Sequence, residues 1–248
     1  MNGNQQVHII LQGKGGCGKS TIASIVLQAL QATYGDSGNV IGIDTDPVNA
    51  TLTSYAALPV QRLEIIDQDR QIDSREFDRM IDIILNNDGP VLIDNGATSF
   101  VPITGYLAEN GALDVLASFG RQVFIHTILT GGQAFQDTLT GLQALLASTT
   151  APIVVWENEF FGPVERDGRR FAESTIYERH RNRIAGIITL PRRNADFMRD
   201  HAEMASQSHT YHQAINNPAA STMQRHRLNL VWQDLMTKLQ PLLQKDAP

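Results

Sequence analysis

The stretch LQGKGGCGKST, residues 11–21, decides how the rest of the chain is read. It contains Gly13-x4-Gly18-Lys19-Ser20, a complete P-loop pattern. It follows the apolar run VHIIL (7–11) and opens a helical pattern over 19–33, the strand-to-helix context in which the pattern is specific. Glycines here let backbone N–H groups turn toward phosphate oxygens without Cβ clashes. The helix amino terminus adds a dipole that favours an anion. Lys19 is expected on the β and γ phosphates and Ser20 on Mg²⁺. A second lysine, Lys14, stands five residues before Lys19, and the phosphate cradle alone does not account for it.

Working outward, short apolar runs alternate with helical patterns. VIGID (40–44), RLEIID (62–67), PVLIDNG (90–96), QVFIHTI (122–128), PIVVW (152–156) and IAGIITL (184–190) read as buried strands. Residues 73–86 fit a helix capped by Asp73, with Glu76 at capping-box spacing, and a further helix fits 132–147. Apolar strands separated by helices predict an α/β fold: three layers, doubly wound, with a mostly parallel sheet covered on both faces. No repeat or low-complexity linker divides the chain, so residues 1–248 are expected to form a single domain. EFFGPVERDGRRF (159–171) breaks the rhythm, and its Asp-Gly pair predicts a hairpin insertion. Residues 194–245 are expected to be helical. Their last helix carries apolar residues at 228, 231, 232, 235, 239 and 242, one face. Its polar side lacks the Lys/Arg excess of a membrane-lying helix, so that face is expected in the core.

Composition narrows the classes. The chain has 248 residues, a net charge of −6 and one cysteine, Cys17, which excludes an internal disulfide and a Cys-rich zinc site. No apolar stretch approaches the roughly 20 residues needed to span a bilayer and no secretory signal is visible, so a cytoplasmic protein without stable membrane insertion is expected. Residues 1–159 carry 7 Lys/Arg against 17 Asp/Glu, whereas residues 160–200 carry 9 Arg against 6 acids. A basic segment on an acidic body is a candidate for DNA phosphates, although interleaved acids more commonly mean a solvated mixed face. Cys17 reads as a small filler in the loop, and His8 and His126, in apolar strands, as hydrogen-bonded core residues.

A site for Mg²⁺ and an attacking water needs carboxylates at the carboxyl ends of neighbouring strands. IDTD supplies Asp44 and Asp46, and VLID supplies Asp94. Asp94 is assigned to the metal through water, with Asp44 assisting, and Asp46 to the water. The catalytic set is Lys14, Lys19, Asp44, Asp46 and Asp94, and the metal set Ser20, Asp44 and Asp94.

KGGCGKST resembles the deviant Walker A motif, KGGxGK[ST], of the ParA/MinD-like ATPases, and IDTDPVNAT resembles that family's switch I. LQGKGGCGKS, IDTDPVNAT, LIDNGATSFVP and HTILTGGQ are further similar to the TraL- and StbB-like proteins of conjugative plasmids. The resemblance implies a plasmid-encoded ATPase using ATP and Mg²⁺, dimerising when ATP is bound, with non-specific DNA and conjugation or relaxosome proteins as partners. It implies that Lys14 reaches across the dimer to the partner's nucleotide. It places the nucleotide against Gly13, Lys14, Gly15, Gly16, Cys17, Gly18, Lys19, Ser20 and Thr21, with adenine contacts from Asn158 and from Pro191 in LPRRNADF. One departure stands out. After Asp94 the family's switch II usually reads D-x-P-P, whereas here Asn95-Gly96-Ala97 follow, so the usual switch II movement is not implied. A nucleotide-dependent scaffold with little turnover and a metabolic enzyme on the same fold fit the same motifs. A cluster-bearing reductase does not, since Cys17 is the sole cysteine.

Overall fold

A computed structural model describes residues 5–35 and 39–244; residue 245, the last of the expected helical part, lies outside them. The strands are β1 (Gln6–Ile10), β2 (Ile41–Asp44), β3 (Val60–Arg62), β4 (Val91–Asp94), β5 (Gln122–Thr130), β6 (Ile153–Asn158), β7 (Glu165–Arg166), β8 (Arg169–Arg170) and β9 (Ile184–Leu190). The helices are α1 (Lys19–Tyr34), α2 (Ser74–Asn86), α3 (Phe100–Glu109), α4 (Ala112–Ser118), α5 (Phe135–Ser148), α6 (Thr175–His180), α7 (Ala195–Ser206), α8 (Tyr211–Ile215) and α9 (Thr222–Leu243). Seven strands form one parallel sheet in the order β3-β2-β4-β1-β5-β6-β9.

Strand alternation divides the core in two. Val7, Ile9, Ile93 and Ile125 face the layer built with α2, α3, α4 and α5. Ile10, Leu92, Phe124 and Trp156 face the layer built with α1, α8 and α9. The three-layer expectation therefore holds, for the reason given by the apolar runs: strands buried on both faces have no polar side to show. Leu228, Leu235, Leu239 and Leu242 of α9 are buried in the second layer, which takes up the apolar face of that helix. Among the described residues, no helix is long and apolar enough to cross a membrane.

The differences are local. The third strand was expected at 62–67 and runs at Val60–Arg62; beyond it Ile66 makes only an isolated antiparallel bridge to Ile72. This is a sheet edge, where pairing on one side leaves register weakly specified. Asp73 caps α2 by accepting the N–H of Arg75, one residue short of Glu76, and Glu76 lies toward Arg79, so the cap forms without the reciprocal capping box. Helices α3 and α4 are additional to the sequence expectation; α3 carries Pro102 and Gly105, which lower its local propensity, and α4 is only seven residues long. Pro102 is tolerated because it falls in the first turn, whose N–H groups have no intrahelical acceptor. The hairpin is present as β7 and β8, paired Glu165 to Arg170 and Arg166 to Arg169. Asp167 and Gly168 turn it with φ of 52° and 73°, both left-handed, as a two-residue turn requires.

Candidate functional site

β1 has β4 on one side and β5 on the other, and the connections leave in opposite directions from it. That is the switch point of a doubly wound sheet, where a crevice opens at the carboxyl ends of the strands. The loop from Gly13 to Gly18 lies in it, because it leaves β1 directly. Gly16 and Gly18 have φ of 72° and 100°, so a side chain at either would be strained. Lys19 is buried, and its Nζ donates to the main-chain oxygen of Lys14 at 3.1 Å, curling over the loop. Gln12, buried just before the loop, donates to Ile128 O and Thr138 O at 2.8 and 3.0 Å and so ties the loop to β5 and α5. A single polar residue closing an apolar strand carried no sequence signal for that brace.

The register sets Asp44 and Asp94 directly opposite each other on β2 and β4. Their surroundings differ. Asp44 is fully buried; its Oδ1 accepts from the N–H of Asp46, and its Oδ2 from the N–H and hydroxyl of Thr53 at 3.0 Å each. It is a tether for the loop after β2. Asp46 Oδ1 accepts from the N–H groups of Val48 and Asn49 at 2.9 and 3.0 Å, while its side chain also lines the crevice. Asp94 is 1% exposed, and neither carboxylate oxygen has a hydrogen-bond partner. Burial pushes its pKa up to about 7, with Asp44 and Asp46 adding to the rise. Nearby Ser20 and Lys19 act against it, Ser20 without completing a hydrogen bond. An orphaned buried carboxylate beside Ser20 is the donor set a small hard cation fits. Among the described residues no group of three His, Cys, Asp or Glu could hold a metal, so an ion here would draw its other ligands from phosphate and water.

Two clefts meet on the loop and share Gly16, Gly18 and Thr21. The polar one, about 430 Å³, is lined by Gly15, Lys19, Ser20, Asp46 and Thr98. The apolar one, about 340 Å³, runs past Asn158, Leu190 and Pro191 to Phe197, Met198 and Tyr211. Asn158 and Pro191, distant in sequence, thus meet the loop in one cleft. The Asn158 amide also donates to Cys17 O at 3.0 Å, so it braces the loop.

The sequence is 40% identical over 238 residues to Protein TraL of Escherichia coli, covering 95% of this chain and 97% of that protein. A second Escherichia coli TraL matches at the same identity over 94% of this chain and 97% of its own length. This chain belongs to the TraL family. No family model matches it. Among solved structures, MinD of Aquifex aeolicus in complex with MinC is similar with a TM-score of 0.52 over 98% of each chain, at 15% identity. MinD of the same organism gives 0.52 over 98% of this chain and 99% of its own. At those identities the likeness shows the fold alone, the one these MinD chains share.

Three further expectations find their place in this TraL-family fold. Lys14 pairs within its own chain: its Nζ is 2.7 Å from Asp137 on the first turn of α5, with the two side chains 41% and 58% exposed. Cys17 is buried, donates to Lys14 O, and burial pushes its pKa up, so it packs rather than reacts. Several arginines of 160–200 are taken up by partners within the chain. Arg170 pairs with Glu157 and Glu159, Arg193 with Asp234, and Arg183 caps main-chain oxygens after α5. Arg169, Arg179, Arg181 and Arg192 are exposed.

Proposed function

We propose that this TraL-family chain is an ATP-binding, ATP-hydrolysing switch that acts in plasmid conjugal transfer or plasmid stability and dimerises when ATP is bound. The observation that carries the reading is Asp94: a buried carboxylate without partners, beside the P-loop serine and lysine. A purely structural aspartate would be hydrogen-bonded, as Asp44 is. Lys19 and the loop amides hold the phosphates, the apolar cleft by Asn158 and Pro191 holds the base, and Ser20 and Asp94 would hold Mg²⁺, which would supply positive charge against the phosphates. Asp46 orients the attacking water. Asp44 acts on the metal indirectly, by holding the loop that carries Asp46. The clefts draw residues from 15 to 235, which supports treating the chain as one domain.

The conjugation setting rests on the TraL kinship. Dimerisation rests on Lys14, whose exposed pairing with Asp137 leaves it free to exchange partners. Exposed Val48 lines the polar cleft and the exposed Phe160–Phe161 pair the apolar one, and they give a second copy apolar surface to cover. DNA phosphates or acidic transfer proteins would meet the exposed arginines at 169, 179, 181 and 192. Titration calorimetry with ATP, together with phosphate release, tests the core of the reading. The wild type binds and turns over ATP, Lys19→Ala does not bind, and Asp46→Ala binds without turnover. Binding without turnover in the wild type would leave a nucleotide-dependent scaffold instead.

A further inference from the structure

Asp94 and Asp46 stand on different loops, and a P-loop by itself does not set one against the other. Buried polar side chains between them do. The N–H of Thr45 donates to the main-chain oxygen of Asp94 at 2.9 Å. Its hydroxyl lies 3.0 Å from the same oxygen and 3.1 Å from Asn95 Oδ1. Ser99 Oγ lies 2.9 Å from Asn95 Oδ1 and 3.1 Å from Gly96 O, and Asn95 Nδ2 donates to Gly96 O at 3.1 Å. Thr45, Asn95 and Ser99 are each 1% exposed or less. The ring closes on Asp46, because a Cβ at Gly96 would stand 2.8 Å from Asp46 Oδ1 and 2.9 Å from its Cγ. The departure from D-x-P-P is thus the point where the two loops are sewn together.

Resting on the nucleotide reading above, we propose that Thr45 and Asn95 are positioning residues that hold the Asp94 and Asp46 loops as one unit before nucleotide binds. Neither touches the phosphate cleft. Each acts through a neighbouring carboxylate: Asn95 follows Asp94, which sits beside Ser20 and Lys19, and Thr45 precedes Asp46, which lines the cleft. A buried network that is fully satisfied has one arrangement, so the spacing of the metal carboxylate and the water carboxylate becomes a property of the folded chain. The two loops then move together or not at all.

Thr45→Val keeps the shape and the backbone N–H and removes the hydroxyl; Thr45→Ser keeps the hydroxyl. The test is calorimetry of the full chain with ATP in EDTA and with Mg-ATP, with phosphate release and a melting curve alongside. Thr45→Val should bind metal-free ATP within about twofold of wild type, because the P-loop is untouched, while the affinity gained from Mg²⁺ falls about five- to tenfold, the scale of one buried hydrogen bond. Turnover should fall with it, and Thr45→Ser should restore both. Gly96→Ala leaves the hydroxyl and amide bonds of Thr45, Asn95 and Ser99 in place and crowds the Asp46 carboxylate and Pro47 Cδ, so it should lose turnover and keep the gain from Mg²⁺. A lower melting point in Thr45→Val with wild-type turnover and Mg²⁺ gain would make Thr45 merely structural and overturn the proposal. Unchanged turnover in Gly96→Ala would overturn the link to Asp46, including where Thr45→Val fails to fold. A wild type that binds no ATP in either condition would sink the nucleotide reading and this proposal together. A wild type that gains affinity from Mg²⁺ keeps the two separable.

Discussion

Replacing Asp94 by Asn should make the nucleotide-free protein more stable and less able to use Mg²⁺. The carboxyl has an ordinary value of 3.8 and is pushed to about 7 in the fold. A group whose folded pKa is raised prefers its neutral form in the folded state. The unfolded chain ionises it from 3.8 upward, so folding loses stability as pH rises from 3.8 to about 7. At 1.36 kcal/mol per unit this comes to ~4 kcal/mol, fully present above pH 7. Asn cannot ionise and escapes the loss. The assay is urea or thermal unfolding of wild type and Asp94→Asn in EDTA between pH 4 and pH 8. The two should agree near pH 4 and diverge toward pH 8, where the variant should melt on the order of 10 °C higher. Only the difference between the proteins is diagnostic, because buried histidines titrate in the opposite sense over part of this range. Adding Mg-ATP should stabilise the wild type by about 2.7 kcal/mol at a hundredfold excess over its dissociation constant, and the Mg²⁺-dependent part should vanish in the variant. A difference that stays flat within about 1 kcal/mol from pH 4 to pH 8 would refute the picture of an uncompensated buried carboxylate.

Lys14→Ala should change monomer stability by less than about 1 kcal/mol, since its pair with Asp137 is exposed, and should leave ATP affinity intact. In the Asp46→Ala background with Mg-ATP, sedimentation should show a dimer, and adding Lys14→Ala should return it to monomer; equal dimerisation with and without Lys14 would assign it to the loop alone. Trp156→Phe probes a buried chain of hydrogen bonds in which Trp156 Nε1 donates to His126 Nδ1 at 2.9 Å. This fixes His126 as the Nε2–H tautomer, donating to His8 Nδ1 at 2.9 Å, with His8 Nε2 donating to Gln6 Oε1 at 3.2 Å. Loss of the first donor should cost about 1–3 kcal/mol in urea unfolding. Burial holds His8 at about 3 and His126 well below 6.5, so the folded state favours the neutral rings and stability should fall as pH drops from 6.5 toward 3. An unfolding free energy in Asp94→Asn that stays level over that window would contradict two neutral buried rings.

The fold was legible because its signals are local. Apolar runs separated by helical patterns specify a covered parallel sheet, and Gly13-x4-Gly18-Lys19-Ser20 specifies a phosphate loop whatever surrounds it, since its chemistry lies in its own backbone. Asp44, Asp46 and Asp94 could be chosen for the same reason: Asp44 and Asp94 each close an apolar strand, and Asp46 follows two residues after one. Which of them is free could not be read, because that depends on partners elsewhere in the chain. Thr53 ties up Asp44, whereas Asp94 is left with no partner, and no spacing rule distinguishes IDTD from VLID. The same holds for Lys14, whose partner lies 123 residues away, and for Asn158, which meets Cys17 from 141 residues away. It holds as well for the seam of Thr45, Asn95 and Ser99, formed only when β2 and β4 lie side by side. Helix α3 is weakened locally by a proline and a glycine, and α4 is only seven residues long, while burial of Phe100, Ile103, Leu107 and Leu116 holds both in place. Sequence alone thus determined the layers and the phosphate loop, whose causes act within a few residues. Tertiary structure decided which polar groups are paired and which are left over, because hydrogen-bond partners and desolvation are set by contacts between distant segments.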